Sequence, residues 1–521
     1  MLDTLEVGLL SGKTATVKAS LDDTVGTFKR RAQIALGVGR GRLVDSSGNV
    51  LDVCAPIQEA NVQTGDQLTL HISRVQACAT HAAFAAVLSD GSAATWGDVR
   101  YGGDSTDVQD QLKDVQQIQA CMSGAFAAIV GDRSVVTWGD YRHGGDSSAV
   151  QDQLKNVRQI QACDGAFAAI IEDGSVVTWG HAGCGGDSSA IQGQLKHVQQ
   201  IQSTKGAFAA VLGNGSVVAW GSARHGGDSS SVQNRLTNVQ QIQASRSAFA
   251  AILGDGSVVT WGAASDGGDS TAVQDQLKSV QQIQASLCAF AAVLDDGSVV
   301  TWGDADFGGD SSAVQDQLKN VQQIQAALCT FAAILGDGSV VTWGYAEFGG
   351  DNSTVYHQLK TVQQIQANDS AFAAILEDGS VVTWGQAGFG GDCRDVKDQL
   401  KNVQQIQATA NGAFAAILGD GSVVSWGSAN RGGNSIAVQE QLTNVLHIQA
   451  SSCAFAAFRT DGSIVTWGLA QFGGDSLAVQ DLLKEVLRDF MEYVEHEFTK
   501  LGQLLPDNSM DQSVGDIAPA V

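Results

Sequence analysis

The side chains best suited to chemistry are nine histidines, nine cysteines and the aspartate of a recurring Gly-Gly-Asp sequence. The histidines are dispersed and form neither an HExxH pair nor a Cys/His spacing typical of zinc sites. The cysteines show no CxxC spacing, and Cys288, Cys329 and Cys453 each lie two residues before a phenylalanine, where other copies have Ser or Gly. This pattern predicts buried free thiols in a reducing compartment rather than a disulfide framework.

The recurring Gly-Gly-Asp could in principle bind Ca²⁺ through its carboxylate. Known calcium-binding repeats are short nonapeptides that stack their carboxylates, whereas this sequence returns only after some 41 residues. Aspartate in such a turn is expected to bond to its own backbone instead. The chain also lacks a glycine-rich phosphate loop ending in Gly-Lys-Ser/Thr. The sequence therefore predicts a protein that is not an enzyme and has no cofactor or metal site.

Most of these residues belong to a unit that is repeated ten times. Every tryptophan is followed by glycine, and successive tryptophans are 41 or 42 residues apart. One unit, residues 239–279, reads VQQIQASRSAFAAILGDGSVVTWGAASDGGDSTAVQDQLKS. Because three short strands cannot bury their faces alone, neighbouring units must stack, and the tryptophan is expected to fill the seam with the next unit. The repeat tryptophans are Trp96, Trp138, Trp179, Trp220, Trp261, Trp302, Trp343, Trp384, Trp426 and Trp467.

Each unit contains three predicted strands, VQQIQA, AFAAIL and SVVTWG, followed by a segment that fits two kinds of structure. The Asp-Gly pair between the second and third strands predicts a hairpin turn. In the second copy Asp132-Arg133 replaces this pair, which should strain the turn. The last segment, AVQDQLKNV at residues 149–157, has apolar residues at i, i+4 and i+7. One or two helical turns and a fourth, outer strand are both compatible with that spacing.

Two segments vary freely among the copies: the four residues after each Trp-Gly and the two or three before each Ala-Phe. Both 42-residue spacings place their extra residue in the second segment. Variation and tolerated insertion are typical of loop tips, where a binding surface could be encoded, although drift without any contact predicts the same pattern. The candidate protein-binding residues in these loops are Tyr101, His143, Arg224, Phe307, Phe348 and Phe389.

The sequence VQQIQASxxAFAAILGDGSVVTWG resembles the repeat of the regulator-of-chromosome-condensation (RCC) family, and the resemblance covers residues 75–475. The family implies a β-propeller that serves as a GTPase exchange factor, a chromatin-binding module or a part of HERC-type ubiquitin ligases. This chain departs from the family in its shorter units, in its Gly-Gly-Asp-Ser after the Trp-Gly, and in having ten units rather than seven. The expected fold is therefore mainly β, with the units forming either a propeller-like ring or an open spiral.

Residues 1–74 differ in composition and carry no repeat. A hairpin is predicted at residues 4–23, a helix at residues 24–36 and short strands at residues 42–44 and 68–72. This order, with LLSGKT, GRLV and NVQTGDQLTLHI, is similar to ubiquitin and implies a β-grasp fold. The resemblance places the apolar recognition patch of ubiquitin at Leu10, Val44 and His71, whereas no Gly-Gly terminus follows Ile72. A docking handle and a simple cap for the array are both compatible with such a domain.

After the last unit, residues 476–505 show a continuous apolar stripe that predicts an amphipathic helix capping the array, and residues 506–521 are predicted to be a disordered tail. The net charge is −25, and since residues 1–74 sum to zero, all of it lies in the remainder. Such an acidic chain is not expected to bind nucleic acid or anionic membranes. No signal segment or apolar membrane span is visible, so the cytoplasm or nucleus is expected.

The sequence therefore predicts a non-catalytic adaptor, in which the repeats bind a protein partner and the ubiquitin-like domain links it to the ubiquitin system. The alternatives are an exchange factor for a small GTPase and a HERC-like ligase component without a catalytic domain.

Overall fold

The structure is a computed structural model, and it describes residues 4–8, 14–20, 23–36, 41–45, 51, 56–60, 67–72, 77–88, 91–461 and 463–477. Its contacts divide the chain just after Ile72 into two compact units. The predicted C-terminal helix and tail lie almost entirely outside the described residues. Leu10 lies outside them as well.

The N-terminal unit is a mixed four-stranded sheet with one helix. Its elements are β1 (Thr4–Gly8), β2 (Thr14–Lys18), α1 (Val25–Leu36), β3 (Gly41–Val44) and β4 (Gln67–Ile72). The strand order is β2-β1-β4-β3, in which β1 and β4 are parallel and the other pairs antiparallel. Leu5, Val7 and Phe28 are almost fully buried and form the core between helix and sheet. The predicted hairpin, helix and two strands are thus confirmed.

The second unit contains ten three-stranded antiparallel sheets, one for each tryptophan. The inner strands are Ala77–Ala79, Gln117–Cys121, Val157–Ala162, Val198–Ser203, Val239–Ala244, Val280–Ala285, Val321–Ala326, Val362–Ala367, Val403–Thr409 and Val445–Ala450. The middle strands are Ala83–Val87, Ala125–Ile129, Ala166–Ile171, Ala207–Leu212, Ala248–Leu253, Ala289–Leu294, Thr330–Leu335, Ala371–Leu376, Ala413–Leu418 and Ala454–Arg459. The outer strands are Ala93–Gly97, Val135–Gly139, Val176–Gly180, Val217–Gly221, Val258–Gly262, Val299–Gly303, Val340–Gly344, Val381–Gly385, Val423–Gly427 and Ile464–Gly468.

The ten sheets close into a propeller-like ring. Each inner strand lies beside the inner strands of both neighbouring repeats, and this includes the tenth and the first. At the closing seam Trp96 Nε1 donates to the carbonyl oxygen of Gly473 at 3.1 Å. The Ser452 side chain contacts His81 Nδ1 at 2.8 Å, and the His81 and Phe472 rings lie 5.2 Å apart. Of the two arrangements compatible with the sequence, the ring is therefore the one formed.

Every seam between repeats uses the Trp-Gly and Gly-Gly-Asp sequences. In the fifth repeat Trp261 stacks on Phe249, with ring centroids 5.1 Å apart, and its Nε1 donates to Gly226 O of the fourth repeat at 3.0 Å. Gly226 has φ +88°, and a Cβ there would lie 2.8 Å from Phe249 Cδ2. Glycine is required because of both the left-handed backbone and the contact with the ring. The tryptophan thus fills the seam with the preceding unit. The prediction that it fills the seam with the following unit was wrong.

The segment after Gly-Gly-Asp forms turns rather than an α-helix or a fourth strand in the nine repeats where it is described, and in seven of them the turns are 3-10. In the fifth repeat the leucine of this segment, Leu277, is 0% exposed, as the apolar spacing predicted. A polar chain ties the segment to the outer strand: the Thr260 hydroxyl contacts Ser270 Oγ at 3.0 Å, and Ser270 Oγ contacts Gln274 Oε1 at 3.2 Å. Gln274 Nε2 donates to Val258 O at 2.9 Å, so a side chain satisfies a carbonyl that a fourth strand would otherwise bond.

The aspartates of the turns bond their own backbone, as predicted. Asp269 of Gly-Gly-Asp accepts from Thr271 N at 2.9 Å, and Asp255 of the Asp-Gly turn accepts from Ser257 N at 2.9 Å. These hydrogen bonds lower the pKa of both carboxyls. In the second repeat Arg133 has φ +64°, which confirms the strain predicted for that turn.

Candidate binding face

Both variable segments of every repeat lie on one face of the ring. Strand pairing puts the end of the inner strand, the start of the middle strand and the end of the outer strand at one edge of each sheet, as the pairs Ala244↔Phe249 and Ala248↔Gly262 show. Ser245 Oγ then joins the two segments directly by donating to Asp266 O at 2.7 Å. We call this side the variable face, and the opposite side, which carries the Asp-Gly turns, the turn face.

At the centre of the variable face one residue per repeat lies in a ring, and most neighbouring members of this ring are joined by a backbone hydrogen bond. Arg246 N donates to Leu287 O at 2.9 Å, and Leu287 N donates to Leu328 O at 3.0 Å. The same bond joins five further pairs of neighbouring repeats, including the closing seam from Ser452 N to His81 O at 3.4 Å, whereas Asp369 N donates to Ala410 O at 3.1 Å. These collar residues are His81, Ser123, Asp164, Lys205, Arg246, Leu287, Leu328, Asp369, Asn411 and Ser452.

Inside the collar lies a cavity of about 530 Å³, which we call the bowl. Its wall is built from the ends of the inner strands, where small alanines leave the space open, and from the segments that follow. The wall residues are Ala79, Thr80, Met122, Ala244, Ser245, Arg246, Ser286, Leu287, Ala326, Ala327, Leu328, Ala367, Asn368, Asp369, Ala408, Ala410, Ala450, Ser451 and Ser452. Most collar amides around it already donate backbone hydrogen bonds, so the bowl offers mainly side chains to a ligand.

The collar is chemically uneven. Arg246 and Lys205 stand side by side on adjacent repeats, and the Lys205 ammonium lies 3.9 Å from the Asp164 carboxylate. Burial raises the pKa of Asp164, although the two cations act in the opposite direction. Leu287 and Leu328 follow on the next two repeats, and both are partly exposed. A ligand lying across this arc would meet positive charge and then an apolar surface.

The loop residues predicted from sequence lie on the variable face but outside the bowl wall. Arg224 is exposed at a loop tip, whereas Tyr101 and Phe307 pack partly against the cores of their seams. His143 Nδ1 lies 3.2 Å from the Asp140 carboxylate. The ring centroids of Phe348 and Tyr345 lie 5.0 Å apart. The Arg431 guanidinium carbon lies over the Phe389 ring, 5.5 Å from its centroid, and Phe389 also packs against a core cluster. These side chains therefore contribute to seam packing as well as to the exposed surface.

Of the residues predicted in the N-terminal unit, Val44 ends β3 with 6% of its surface exposed, and His71 lies in β4. His71 pairs with Arg42 across the sheet. A role for either residue in binding stays a prediction.

Sequence reasoning did not single out the residues that line the bowl. Arg246, Leu287, Leu328 and Asp369 all occupy one position, three residues before the repeat phenylalanine. The sequence did mark this position, since its side chain changes between basic, acidic and aliphatic types while the neighbouring residues stay small. The sequence did not show that the ten positions meet around one axis.

Within the described part of the chain, no group of three or more His, Cys, Asp or Glu side chains could hold a metal ion. The same residues contain no helix long and apolar enough to cross a membrane.

Asp369 gives the bowl a pH-dependent contribution to stability. Burial raises its pKa to about 6 from the ordinary 3.8. The folded state therefore disfavours the charged form, and stability is lost as pH rises from about 4 through 6. We expect Asp369→Asn to raise the free energy of unfolding by about 1–2 kcal/mol at pH 8 and to leave it unchanged below pH 3.8.

The measurement is urea unfolding of both proteins across that pH range. The exposed Asp316→Asn serves as the control and should show no pH-dependent difference. Equal effects of the two substitutions at pH 8 would contradict the burial of the Asp369 charge.

No protein-family model and no curated protein matches the chain. Solved structures show distant similarity. The computationally designed Ika8 protein aligns at 12% identity and TM-score 0.29 over 60% of this chain and 96% of its own. Prp20p of Saccharomyces cerevisiae aligns at 18% identity and TM-score 0.30 over 46% and 74%. The receptor kinase CR4 ectodomain of Physcomitrella patens aligns at 15% identity and TM-score 0.32 over 56% and 74%.

Proposed function

We propose that the chain is a non-catalytic protein-interaction scaffold, in which the variable face binds a protein partner and the N-terminal unit links that partner to the ubiquitin system. The observation that carries the proposal is the convergence of twenty variable segments, two from each of ten repeats, on one face around the bowl. A rigid ring that varies only on one face is suited to presenting a binding surface on a constant scaffold.

The collar indicates the kind of partner segment that fits. Leu287 and Leu328 offer apolar surface that is only partly covered, and burying such surface is the main source of binding free energy. Arg246 lies next to Leu287, with Lys205 on the repeat before it, and these two cations favour a carboxylate on the partner. The segment expected in the bowl therefore carries aliphatic or aromatic residues beside an acidic residue.

The N-terminal unit supports the second half of the proposal by its topology. Its hairpin, helix and two further strands, with β1 parallel to β4 at the centre of the sheet, have the arrangement expected of a ubiquitin-like β-grasp domain. Domains of this type dock to receptors of ubiquitin. A second binding module on the same chain would bring the ring's partner to that machinery.

The bowl is tested with the full-length chain as bait in pull-downs from cell extract. We expect the double substitution Leu287→Asp and Leu328→Asp to reduce recovery of the ring's partners at least tenfold, because it places two carboxylates where apolar contacts are needed. Leu446→Asp is the matched control: this leucine is 60% exposed on the inner strand of the tenth repeat, toward the turn face. Identical sets of partners for both variants would contradict a binding role for the bowl.

The N-terminal half of the proposal is tested by comparing the full chain with residues 75–521 as baits. Loss of ubiquitin receptors or proteasome components from the shorter bait is the expected result. If both baits recover the same proteins, the N-terminal unit is a cap and the coupling to the ubiquitin system is wrong.

A further inference from the structure

The third repeat carries cysteine at two positions that the fold brings together. In six other repeats the first residue after the inner strand donates a side-chain hydrogen bond to the carbonyl oxygen of the fourth residue after Trp-Gly, as Ser245 does to Asp266 at 2.7 Å. In the third repeat these positions are Cys163 and Cys184, and Cys163 Sγ lies 3.4 Å from Cys184 O. The two side chains also shift the pKa of each other. Among the ten repeats only the third has cysteine at both positions.

The surroundings of this thiol pair favour reaction at one of its members. Cys163 is buried, with 6% of its surface exposed, whereas Cys184 is partly exposed on the variable face. The exposed His181 lies beside the Cys184 thiol, because both would be within 3.5 Å of a Cβ added at Gly165. Gly165 has no side chain and leaves space beside the Cys184 sulfur, since a Cβ there would lie 3.3 Å from Cys184 Sγ. A small reagent can therefore reach the Cys184 sulfur, whereas the neighbouring Cys163 is shielded from solvent.

The electrostatics separate the two thiols. Hydrogen bonding from Cys163 and the neighbouring His181 hold the pKa of Cys184 at about 6, well below that of an ordinary thiol. The hydrogen bond with Cys184 and burial raise the pKa of Cys163. Because the thiolate is the nucleophile, Cys184 is the attacking sulfur at neutral pH. Burial raises the pKa of Cys288 and Cys329 to about 11, so these thiols stay protonated.

We propose that Cys184 and Cys163 form an oxidation site that reacts with hydroperoxides and closes into a disulfide. The proposal rests on the placement of the two sulfurs beside each other and beside His181, with Cys184 open to the variable face. It is independent of the proposed scaffold function, although the site lies on the face that function would use.

The reaction balances with one hydroperoxide as the oxidant. The Cys184 thiolate attacks the terminal peroxide oxygen, the S–O bond forms, the O–O bond breaks, and the departing alkoxide or hydroxide takes a proton from His181 or water. Cys163 then attacks the Cys184 sulfur, the S–S bond forms, and the sulfenic oxygen leaves as water with the proton of Cys163. Two thiols thus lose two electrons to one hydroperoxide, which yields an alcohol or water plus a second water.

The test treats the reduced full-length protein with one equivalent of hydrogen peroxide and maps its peptides without reduction. We expect a disulfide that joins Cys163 to Cys184, formed at least tenfold faster than oxidation of Cys288 or Cys329. In Cys163→Ser no disulfide can form, and a sulfenic acid should accumulate on Cys184, where dimedone traps it. His181→Ala should slow the first step severalfold and leave the product unchanged.

Two results would overturn the proposal. One is oxidation of Cys184 no faster than that of Cys288 and Cys329 in the same sample. The other is a peroxide-induced disulfide that excludes Cys163, with no dimedone adduct on Cys184 in Cys163→Ser. Neither readout depends on partner binding, so failure of the scaffold proposal would leave this test intact.

Discussion

Trp96→Ala is expected to lower the free energy of unfolding by about 3–5 kcal/mol, the range for truncating a buried aromatic side chain. Trp96 is 3% exposed, stacks on Phe84 with centroids 5.2 Å apart, and donates to Gly473 O at 3.1 Å. It closes the ring between the first and tenth repeats. Because a closed ring has no end, this seam should contribute as much to the free energy of unfolding as any internal seam.

The matched comparison is Trp261→Ala, which removes the equivalent side chain from an internal seam. Urea unfolding followed by circular dichroism should give the two variants similar midpoints, both well below that of the unchanged protein. If Trp261→Ala lowers the midpoint and Trp96→Ala does not, the first and tenth repeats are not joined in solution. That outcome would contradict the closed ring.

The second large effect is expected at a seam glycine. Gly390→Ala should destabilise the chain by about 2–4 kcal/mol, because the left-handed backbone costs an L-residue about 1–2 kcal/mol and overpacking adds a similar amount. Gly390 has φ +93°, and a Cβ there would lie 2.6 Å from Phe414 Cδ2 of the next repeat. The phenylalanine is fully buried and has no room to move.

The control lies two residues away in the same loop. Gly388 meets nothing within 4 Å of an added Cβ, so Gly388→Ala should change stability by less than about 0.5 kcal/mol. Thermal unfolding of both variants against the unchanged protein separates the two positions. Equal melting temperatures for Gly388→Ala and Gly390→Ala would show that the Gly-Gly-Asp sequence does not shape the seam.

Much of the local structure could be predicted because it depends on residues close together in the chain. Alternation and β-branching predicted the strands Val239–Ala244, Ala248–Leu253 and Val258–Gly262, and the Asp-Gly pair predicted their turn. The segment that ends each repeat could not be predicted in the same way. Its spacing suits a helix or a strand, and the hydrogen bond from Gln274 to Val258 O, sixteen residues earlier, favours the 3-10 turn.

The sequence by itself determined the period, the three strands of each repeat and the residue types of every seam, since each recurs within one unit of about 41 residues. Only the tertiary structure decided that Trp96 meets Gly473, 377 residues away, because closure depends on small rotations summed over ten units. The same closure gathers Arg246, Leu287 and Leu328 around one bowl. Likewise, Cys163 and Cys184 become a pair only when the two loops of their repeat fold onto one face, which their spacing in the chain does not reveal.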